Sequence, residues 1–271
     1  MTVPLGDGVS IPQIGFGVYL VPPAQTEAAV RTALDAGYRA IDTAAMYGNE
    51  REVGRAIRAA ELPQNSVFVT TKLNNPDHGY DAALRAFDAS MAALGLDRLD
   101  LYLIHWPLPR RNRYVETWRA LIKLQADERV RAIGVSNFQP AHLERLAAET
   151  GVLPAINQVE LHPYLAQSRL RAFHAEHGIV TEAWGPLARG GALLRDPVLT
   201  GIATTHGRSA AQVVLRWHLQ LGNVAIPKSV TPARVAENIA LFDFELDEAE
   251  MAAINGLDRA QRTGPNPDTN G

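Results

Sequence analysis

The chain has 271 residues, of which 46% are hydrophobic and 20% charged, with a formal net charge of -3 and an isoelectric point of about 6.2. This composition allows a large buried core, and the near-neutral charge argues against the basic surface that a nucleic-acid partner requires. Cysteine is absent, which excludes disulfides and cysteine nucleophiles and suits a reducing compartment. Because the start lacks the pattern of a signal peptide and no apolar run reaches membrane-spanning length, we expect a cytoplasmic protein without a membrane partner.

The first predicted element is a β-hairpin. Residues 3–5 and 9–11 flank Gly6-Asp7-Gly8, a favourable hairpin turn. Such a hairpin is suitably placed to plug the amino-terminal mouth of a barrel.

Strand-sized apolar runs then alternate with helical-period segments, the pattern of a parallel sheet covered by helices. Eight strands are predicted, over residues 14–17, 38–42, 67–71, 100–105, 132–136, 155–160, 180–184 and 224–227. Helices are predicted over residues 26–36, 49–60, 80–94, 115–126, 140–149, 167–177, 210–221, 232–240 and 247–257. Residues 264–271 are rich in Pro, Asn, Asp and Gly and are expected to form a tail or lid.

Eight β/α units in roughly 250 residues match the size of one closed (β/α)8 TIM barrel. We therefore predict an α/β fold with a single barrel domain over residues 1–271, a hairpin plug and extra carboxyl-terminal helices. A doubly wound open sheet is the alternative. It usually carries a glycine-rich phosphate fingerprint after its first strand, and Gly15-Phe16-Gly17 stops short of that motif.

Four ionisable residues follow three consecutive predicted strands: Asp42, Tyr47, Lys72 and His105. Carboxyl ends of parallel strands converge, so these groups are candidates for one site. A lysine lowers the pKa of a neighbouring tyrosine, an aspartate keeps a buried lysine charged, and a histidine can hold a carbonyl by a hydrogen bond. Together they suit proton delivery to an oxygen that becomes an alkoxide.

Each residue also has a structural interpretation. Asp42 would then be a loop or cap residue, Tyr47 a packed aromatic, Lys72 a solvated strand end and His105 a core histidine. Glu160 and His162 raise a second alternative, a metal hydrolase using His105. Such sites usually draw on a His-x-His pair within one strand, which the chain lacks, so no metal is predicted.

Six segments resemble the aldo-keto reductases, in particular the bacterial branch that includes diketogluconate reductases. They are residues 42–50 (DTAAMYGNE), 70–73 (TTKL), 103–107 (LIHWP), 134–138 (GVSNF), 157–163 (NQVELHP) and 226–231 (IPKSVT). The resemblance implies a (β/α)8 barrel that binds NADPH without a Rossmann domain. It further implies Tyr47 as general acid, Lys72 and Asp42 as the groups that tune it, and His105 as the residue that orients the carbonyl.

Cofactor positions follow by the same matching. Hydroxyl and amide groups of Ser136, Asn137 and Gln158 suit the nicotinamide carboxamide, and Trp184 can stack on its ring. Phosphates and adenine are assigned to a loop and to the start of a helix, at Gly185, Pro186, Leu187, Lys228, Ser229, Val230, Thr231, Arg234, Glu237 and Asn238. The alternative for Ser229 and Thr231 is helix capping, and for Lys228 a solvated strand end.

The substrate pocket is predicted from Tyr19, Asn74, Trp106 and Phe138. Asn74 departs from the family pattern, where many relatives carry Trp. The apolar walls suit small or medium aldehydes, ketones and dicarbonyls.

The leading hypothesis is a monomeric NADPH-dependent carbonyl reductase. The alternative is a non-catalytic NADPH-binding regulatory protein on the same barrel.

Overall fold

The structure is a computed structural model that describes residues 1–63 and 66–270, so Gly271 of the predicted tail lies outside the described residues. The chain begins with an antiparallel hairpin in which β1 (Thr2–Gly6) pairs with β2 (Val9–Pro12). Gly6 and Gly8 in its turn have positive φ, a conformation that costs glycine little. Leu5, Val9 and Ile11 of the hairpin share a buried cluster with the first halves of barrel strands, at Ala40, Phe68, Leu101, Ala132, Ile156 and Val224. The hairpin therefore covers the amino-terminal end of the barrel, as predicted.

Eight parallel strands form one sheet, in which each strand pairs with the next along the chain. They are β3 (Phe16–Gly17), β4 (Ala40–Asp42), β5 (Phe68–Leu73), β6 (Leu99–Ile104), β7 (Val130–Ser136), β8 (Ile156–Glu160), β9 (Val180–Trp184) and β10 (Val224–Ala225).

Hydrogen bonds between the first and last strand segments close the sheet. Gly15 N donates to Ala225 O at 2.9 Å, Ala225 N donates to Gln13 O at 3.0 Å, and Gly17 N donates to Pro227 O at 3.1 Å. The sheet is therefore a closed (β/α)8 barrel, and the alternative of an open doubly wound sheet is wrong.

Helices pack outside the barrel and follow the predicted segments within a few residues. They are α1 (Pro23–Asp35), α2 (Glu50–Ala59), α3 (Tyr80–Leu94), α4 (Tyr114–Ala126), α5 (Pro140–Thr150), α6 (Ser168–Glu176), α7 (Pro197–His206), α8 (Ala210–Gln220), α9 (Pro232–Ile239) and α10 (Glu248–Asn255). In the part of the chain that the structure describes, no helix is long and apolar enough to cross a membrane.

Helix α7 is the one element above that the sequence pattern does not predict. Its composition is rich in threonine and includes Gly201, all weak helix formers. Asp196 caps its first turn by accepting from Val198 N at 2.9 Å, and burial of Leu199 and Ile202 holds its inner face. Packing therefore overrides weak local propensity here, and α7 places the preceding loop, residues 185–195, at the mouth of the barrel.

Candidate active site

The four strand-end candidates lie together at the carboxyl end of the barrel. Asp42 ends β4, Lys72 lies in β5, and His105 directly follows β6. Tyr47 closes the short 3-10 turn Ala45–Tyr47 that follows β4. The parallel register therefore brings into one cluster residues that are up to 63 positions apart, from 42 to 105.

Lys72 and Asp42 form a buried ion pair. Lys72 Nζ donates to Asp42 Oδ1 at 2.6 Å and to Thr43 O at 3.0 Å, and Lys72 is 0% exposed. Burial alone would lower the pKa of Lys72, but the Asp42 carboxylate, together with Tyr47 and Glu182, outweighs this effect and the pKa is raised. Lys72 is therefore held as a cation inside the barrel.

Tyr47 lies between this cation and the aromatic groups of the site. Lys72 Nζ is 5.3 Å from the centroid of the Tyr47 ring, whose own centroid lies 5.8 Å from that of His105 and 5.1 Å from that of Tyr19. Burial raises the pKa of Tyr47 to about 12, although Lys72 lowers it. The effect of Lys72 has the expected sign, but desolvation outweighs it. Tyr47 therefore keeps its proton at neutral pH and can donate it.

His105 is a neutral imidazole at physiological pH. Burial, with a smaller contribution from the Lys72 charge, lowers the pKa of His105 to about 3. Within the described residues, its Nδ1 has no hydrogen-bond partner. A neutral ring has one N–H donor and one acceptor nitrogen, so His105 can hold a carbonyl oxygen by donating a hydrogen bond without supplying the proton.

Three of the four clustered residues, Asp42, Tyr47 and His105, line a cavity of about 840 Å³, whereas Lys72 is buried outside the lining. From the predicted site, the cavity lining includes Tyr19, Asp42, Tyr47, His105, Trp106, Ser136, Asn137, Gln158, Trp184, Gly185, Pro186, Leu187, Lys228, Ser229, Arg234, Glu237 and Asn238. This volume lies in the range of cofactor and ligand sites in proteins.

The amides at the cluster are already oriented by internal bonds. Asn137 Nδ2 donates to His105 O and to Ser136 Oγ, each at 3.0 Å, and Trp184 Nε1 donates to Asn137 Oδ1 at 2.8 Å. Gln158 Nε2 donates to Asp42 Oδ2 at 2.9 Å. The donor hydrogens are thus occupied, and the amide oxygens of Asn137 and Gln158 remain as acceptors, which fits the two N–H donors of a carboxamide.

Part of the cavity lining is cationic. The lining includes Lys228 and Arg234, and also Arg189 and Arg195, which the sequence analysis does not single out. Among the described residues, none of these four has a carboxylate partner within 4.0 Å. Cations that lack an internal partner and lie near the amino end of α9 suit a phosphorylated ligand.

Four predicted contact residues lie outside the cavity lining. Phe138 is fully buried, and its ring packs edge-on against Tyr114 at a centroid distance of 5.4 Å, so it belongs to the core. Asn74 caps the turn Asn75–Asp77 by accepting from Asn75 N at 2.9 Å. Val230 is exposed to solvent, and Thr231 is the N-cap residue that directly precedes α9. Neither Phe138 nor Asn74 is part of this cavity lining, and their assignment to the pocket walls stays a prediction.

Glu160 holds the carboxyl-terminal tail, and His162 contacts Glu160. Glu160 accepts from Thr263 N and Thr263 Oγ1 at 2.6 Å each, from Gly264 N at 3.1 Å, and contacts His162 Nε2 at 3.2 Å. A Cβ at Gly264 would lie 2.5 Å from the Trp184 ring, so only glycine fits there. Within residues 1–63 and 66–270, no group of three or more His, Cys, Asp or Glu side chains could hold a metal ion.

Glu182 is a buried residue of the site that the sequence analysis misses. Its Oε2 accepts from Gln158 Nε2 at 2.9 Å, and it is 1% exposed. A signal is present in the sequence, because a lone acid in the apolar strand Val180–Trp184 requires a partner.

Comparisons with known proteins agree with this geometry. The model of the Aldo/keto reductase family matches residues 13–259. An aldo-keto reductase of Mycobacterium sp. (strain JLS) is 56% identical over 98% of this chain and 96% of its own length. A Salmonella typhi protein provisionally named methylglyoxal reductase DkgA is 48% identical over 98% of this chain and 97% of its own. The crystal structure of a Gox0644 mutant in complex with NADPH has a TM-score of 0.96 at 47% identity, covering 100% of this chain and 98% of that one.

Proposed function

The chain belongs to the aldo/keto reductase family, and we propose that it is an NADPH-dependent oxidoreductase that reduces a carbonyl group of an aldehyde, ketone or dicarbonyl compound to an alcohol. The observation that carries this proposal is the cluster of Asp42, Tyr47, Lys72 and His105, which borders a cavity with a partly cationic lining. When bound, NADPH supplies the hydride for the carbonyl carbon.

Different residues of the chain would bind different parts of the cofactor. Trp184 supplies an aromatic face at the cluster, and the oxygens of Asn137 and Gln158 are placed to accept from the carboxamide. Lys228, Ser229 and Arg234 are the groups proposed for the adenosine phosphate, with Glu237 and Asn238 for adenine. The complex of Gox0644 with NADPH supports this choice of cofactor.

The proton in this proposal comes from the Tyr47 hydroxyl. As negative charge develops on the substrate oxygen, His105 orients that oxygen and Tyr47 protonates it. The phenolate that remains is stabilised by Lys72, whose ammonium lies 5.3 Å from the ring centroid. Asp42 takes no part in the transfer and keeps Lys72 charged in its buried position.

Substrate choice depends on the walls around Tyr47. Tyr19 and Trp106 line the cavity next to the cluster, together with Leu20 and Met46. These apolar groups suit small or medium carbonyl compounds. The name of the Salmonella typhi relative points to dicarbonyls as the first class to assay.

The test separates an enzyme from a non-catalytic NADPH-binding protein. Binding is followed by quenching of tryptophan fluorescence, since Trp184 and Trp106 both line the cavity. Turnover is followed by loss of NADPH absorbance with a panel of aldehydes, ketones and dicarbonyls. We expect both signals. Binding without turnover of any carbonyl in the panel would favour the regulatory alternative, and absence of binding would refute the cofactor assignment.

A further inference from the structure

Glu182 is a buried acid that the steps above do not use. It lies in β9 two residues before Trp184, so both side chains point to the same face of the strand, the barrel interior. In the described part of the chain, no cation lies within 4.0 Å of its carboxyl group. Burying a carboxyl without a cation is costly, and such a group calls for an explanation in terms of its contacts.

The contacts of Glu182 run through Gln158. The two residues are direct neighbours in the register of β8 and β9. Gln158 Nε2 donates to Glu182 Oε2 and to Asp42 Oδ2, each at 2.9 Å, and the other oxygen of Asp42 accepts from Lys72 Nζ at 2.6 Å. A continuous row of hydrogen bonds therefore crosses the barrel from Lys72 to Glu182.

This arrangement fixes the orientation of the Gln158 amide. Its NH2 group has two hydrogens, and two carboxyl oxygens accept them. A rotated amide would place Oε1 against both of those oxygens, which repel it. The unrotated amide leaves Oε1 without a partner among the described residues, on a residue that lines the cavity. Asp42 alone would accept only one of the two amide hydrogens. Glu182 accepts the other, and the two bonds together hold the amide in this orientation.

We propose that Glu182 is a positioning residue that holds the Gln158 amide with its oxygen toward the cavity, where it accepts a hydrogen bond from the nicotinamide carboxamide. This inference rests on the proposed function. Burial, and next the charge of Asp42, raise the pKa of Glu182 to about 8, whereas Gln158 and Lys72 lower it. A protonated carboxyl still has a carbonyl oxygen that accepts from Gln158, and the Asp42 carboxylate still repels a rotated amide oxygen, so the same orientation is favoured in either protonation state.

The experiment compares ligands that do and do not contain the carboxamide. Glu182→Met removes the acceptor at similar volume, Glu182→Gln keeps an oxygen that can accept, and Glu50→Met removes a buried carboxyl whose partner is Thr71, outside the cavity lining. The ligands are NADPH, its analogue with an acetyl group in place of the carboxamide, and adenosine 2′,5′-bisphosphate, which lacks the nicotinamide. Kd values are measured by calorimetry, after circular dichroism confirms folding.

We expect Glu182→Met to raise the Kd for NADPH about 3- to 30-fold, the worth of one or two hydrogen bonds, without changing the Kd for the bisphosphate. The preference of the wild type for carboxamide over acetyl should shrink in Glu182→Met, where only the Asn137 oxygen is still held in place, and persist in full in Glu182→Gln and Glu50→Met. Equal weakening of NADPH and the bisphosphate would show a merely structural role and overturn the inference.

The wild type gives a second measurement that does not depend on the folding of a variant. Wild-type protein that binds NADPH and the acetyl analogue equally well would also overturn the inference while leaving the proposed function intact. Wild-type protein that binds no NADPH would overturn the proposed function, and this inference with it.

Discussion

The buried ion pair between Lys72 and Asp42 predicts a large loss of stability when only the lysine is removed, and a partial recovery when Asp42 is replaced as well. Lys72→Met leaves the Asp42 carboxylate inside the barrel with Gln158 as its remaining side-chain donor and with Glu182 bonded to the same amide. Breaking one side of a buried pair typically costs about 3–5 kcal/mol, because the partner is left as an uncompensated charge. We expect a loss of that size in the free energy of unfolding at neutral pH.

The recovery of stability by a second substitution is the more specific part of this prediction. Adding Asp42→Asn to Lys72→Met removes the stranded charge and should recover at least about half of the loss.

Urea unfolding of the wild type, both single variants and the double variant, at acidic and neutral pH, measures these effects. A Lys72→Met protein within about 1 kcal/mol of the wild type would refute the reasoning. So would a double variant that is no more stable at neutral pH than Lys72→Met alone, because the loss would then come from packing rather than from charge.

Three further predictions concern cofactor choice and pH. The double variant Lys228→Ala/Arg234→Ala should raise the Kd for NADPH about 30- to 1,000-fold and barely change the Kd for NADH. If calorimetry shows that both cofactors bind equally more weakly, the two cations contact the part of the dinucleotide that NADPH and NADH share. The activity that remains in Lys72→Met should show an alkaline limb at higher pH than that of the wild type. The reason is that the Tyr47 pKa, already raised to about 12, loses the cation that lowers it. An unshifted limb in the pH–rate profile would show that Lys72 does not influence the ionisation of Tyr47. Burial and the charge of Asp42 raise the pKa of Glu182 from 4.5 to about 8, against the smaller effects of Gln158 and Lys72. Between these two pH values the folded state holds one more proton than the unfolded state. The stability of the wild type should therefore fall with rising pH in this range, by at most about 1.4 kcal/mol per pH unit. Glu182→Gln should lack this component in urea unfolding, and an unchanged slope would contradict it.

The sequence predicts the barrel and the convergence of the four strand-end residues because both follow from local periodicity. Once eight strands alternate with helices, the parallel topology brings Asp42, Lys72 and His105 to one end. Strand ends are harder to predict than strands. Closure of the barrel depends on bonds such as Gly15 N to Ala225 O, between segments 210 residues apart, which no local pattern specifies.

The side-chain environments were less predictable, because neighbours distant in sequence decide them. Phe138 follows a strand as His105 does, yet contacts with Tyr114 and His142 bury it in the core. Asn74 caps the turn Asn75–Asp77, a role that depends on the local backbone and not on the family pattern. For Tyr47, the sequence gives the sign of the Lys72 effect but not the greater effect of burial.

The central claim is that Tyr47 supplies the proton for carbonyl reduction, and Tyr47→Phe tests it most directly. Steady-state rates with NADPH and one aldehyde, together with NADPH affinity from tryptophan quenching, are compared for the wild type, Tyr47→Phe and Tyr80→Phe, which removes a hydroxyl outside the cavity lining. We predict that Tyr47→Phe loses at least about 10²–10⁴-fold in kcat with NADPH affinity nearly unchanged, while Tyr80→Phe retains the wild-type rate. A Tyr47→Phe protein that keeps more than about half of the wild-type rate would contradict the account.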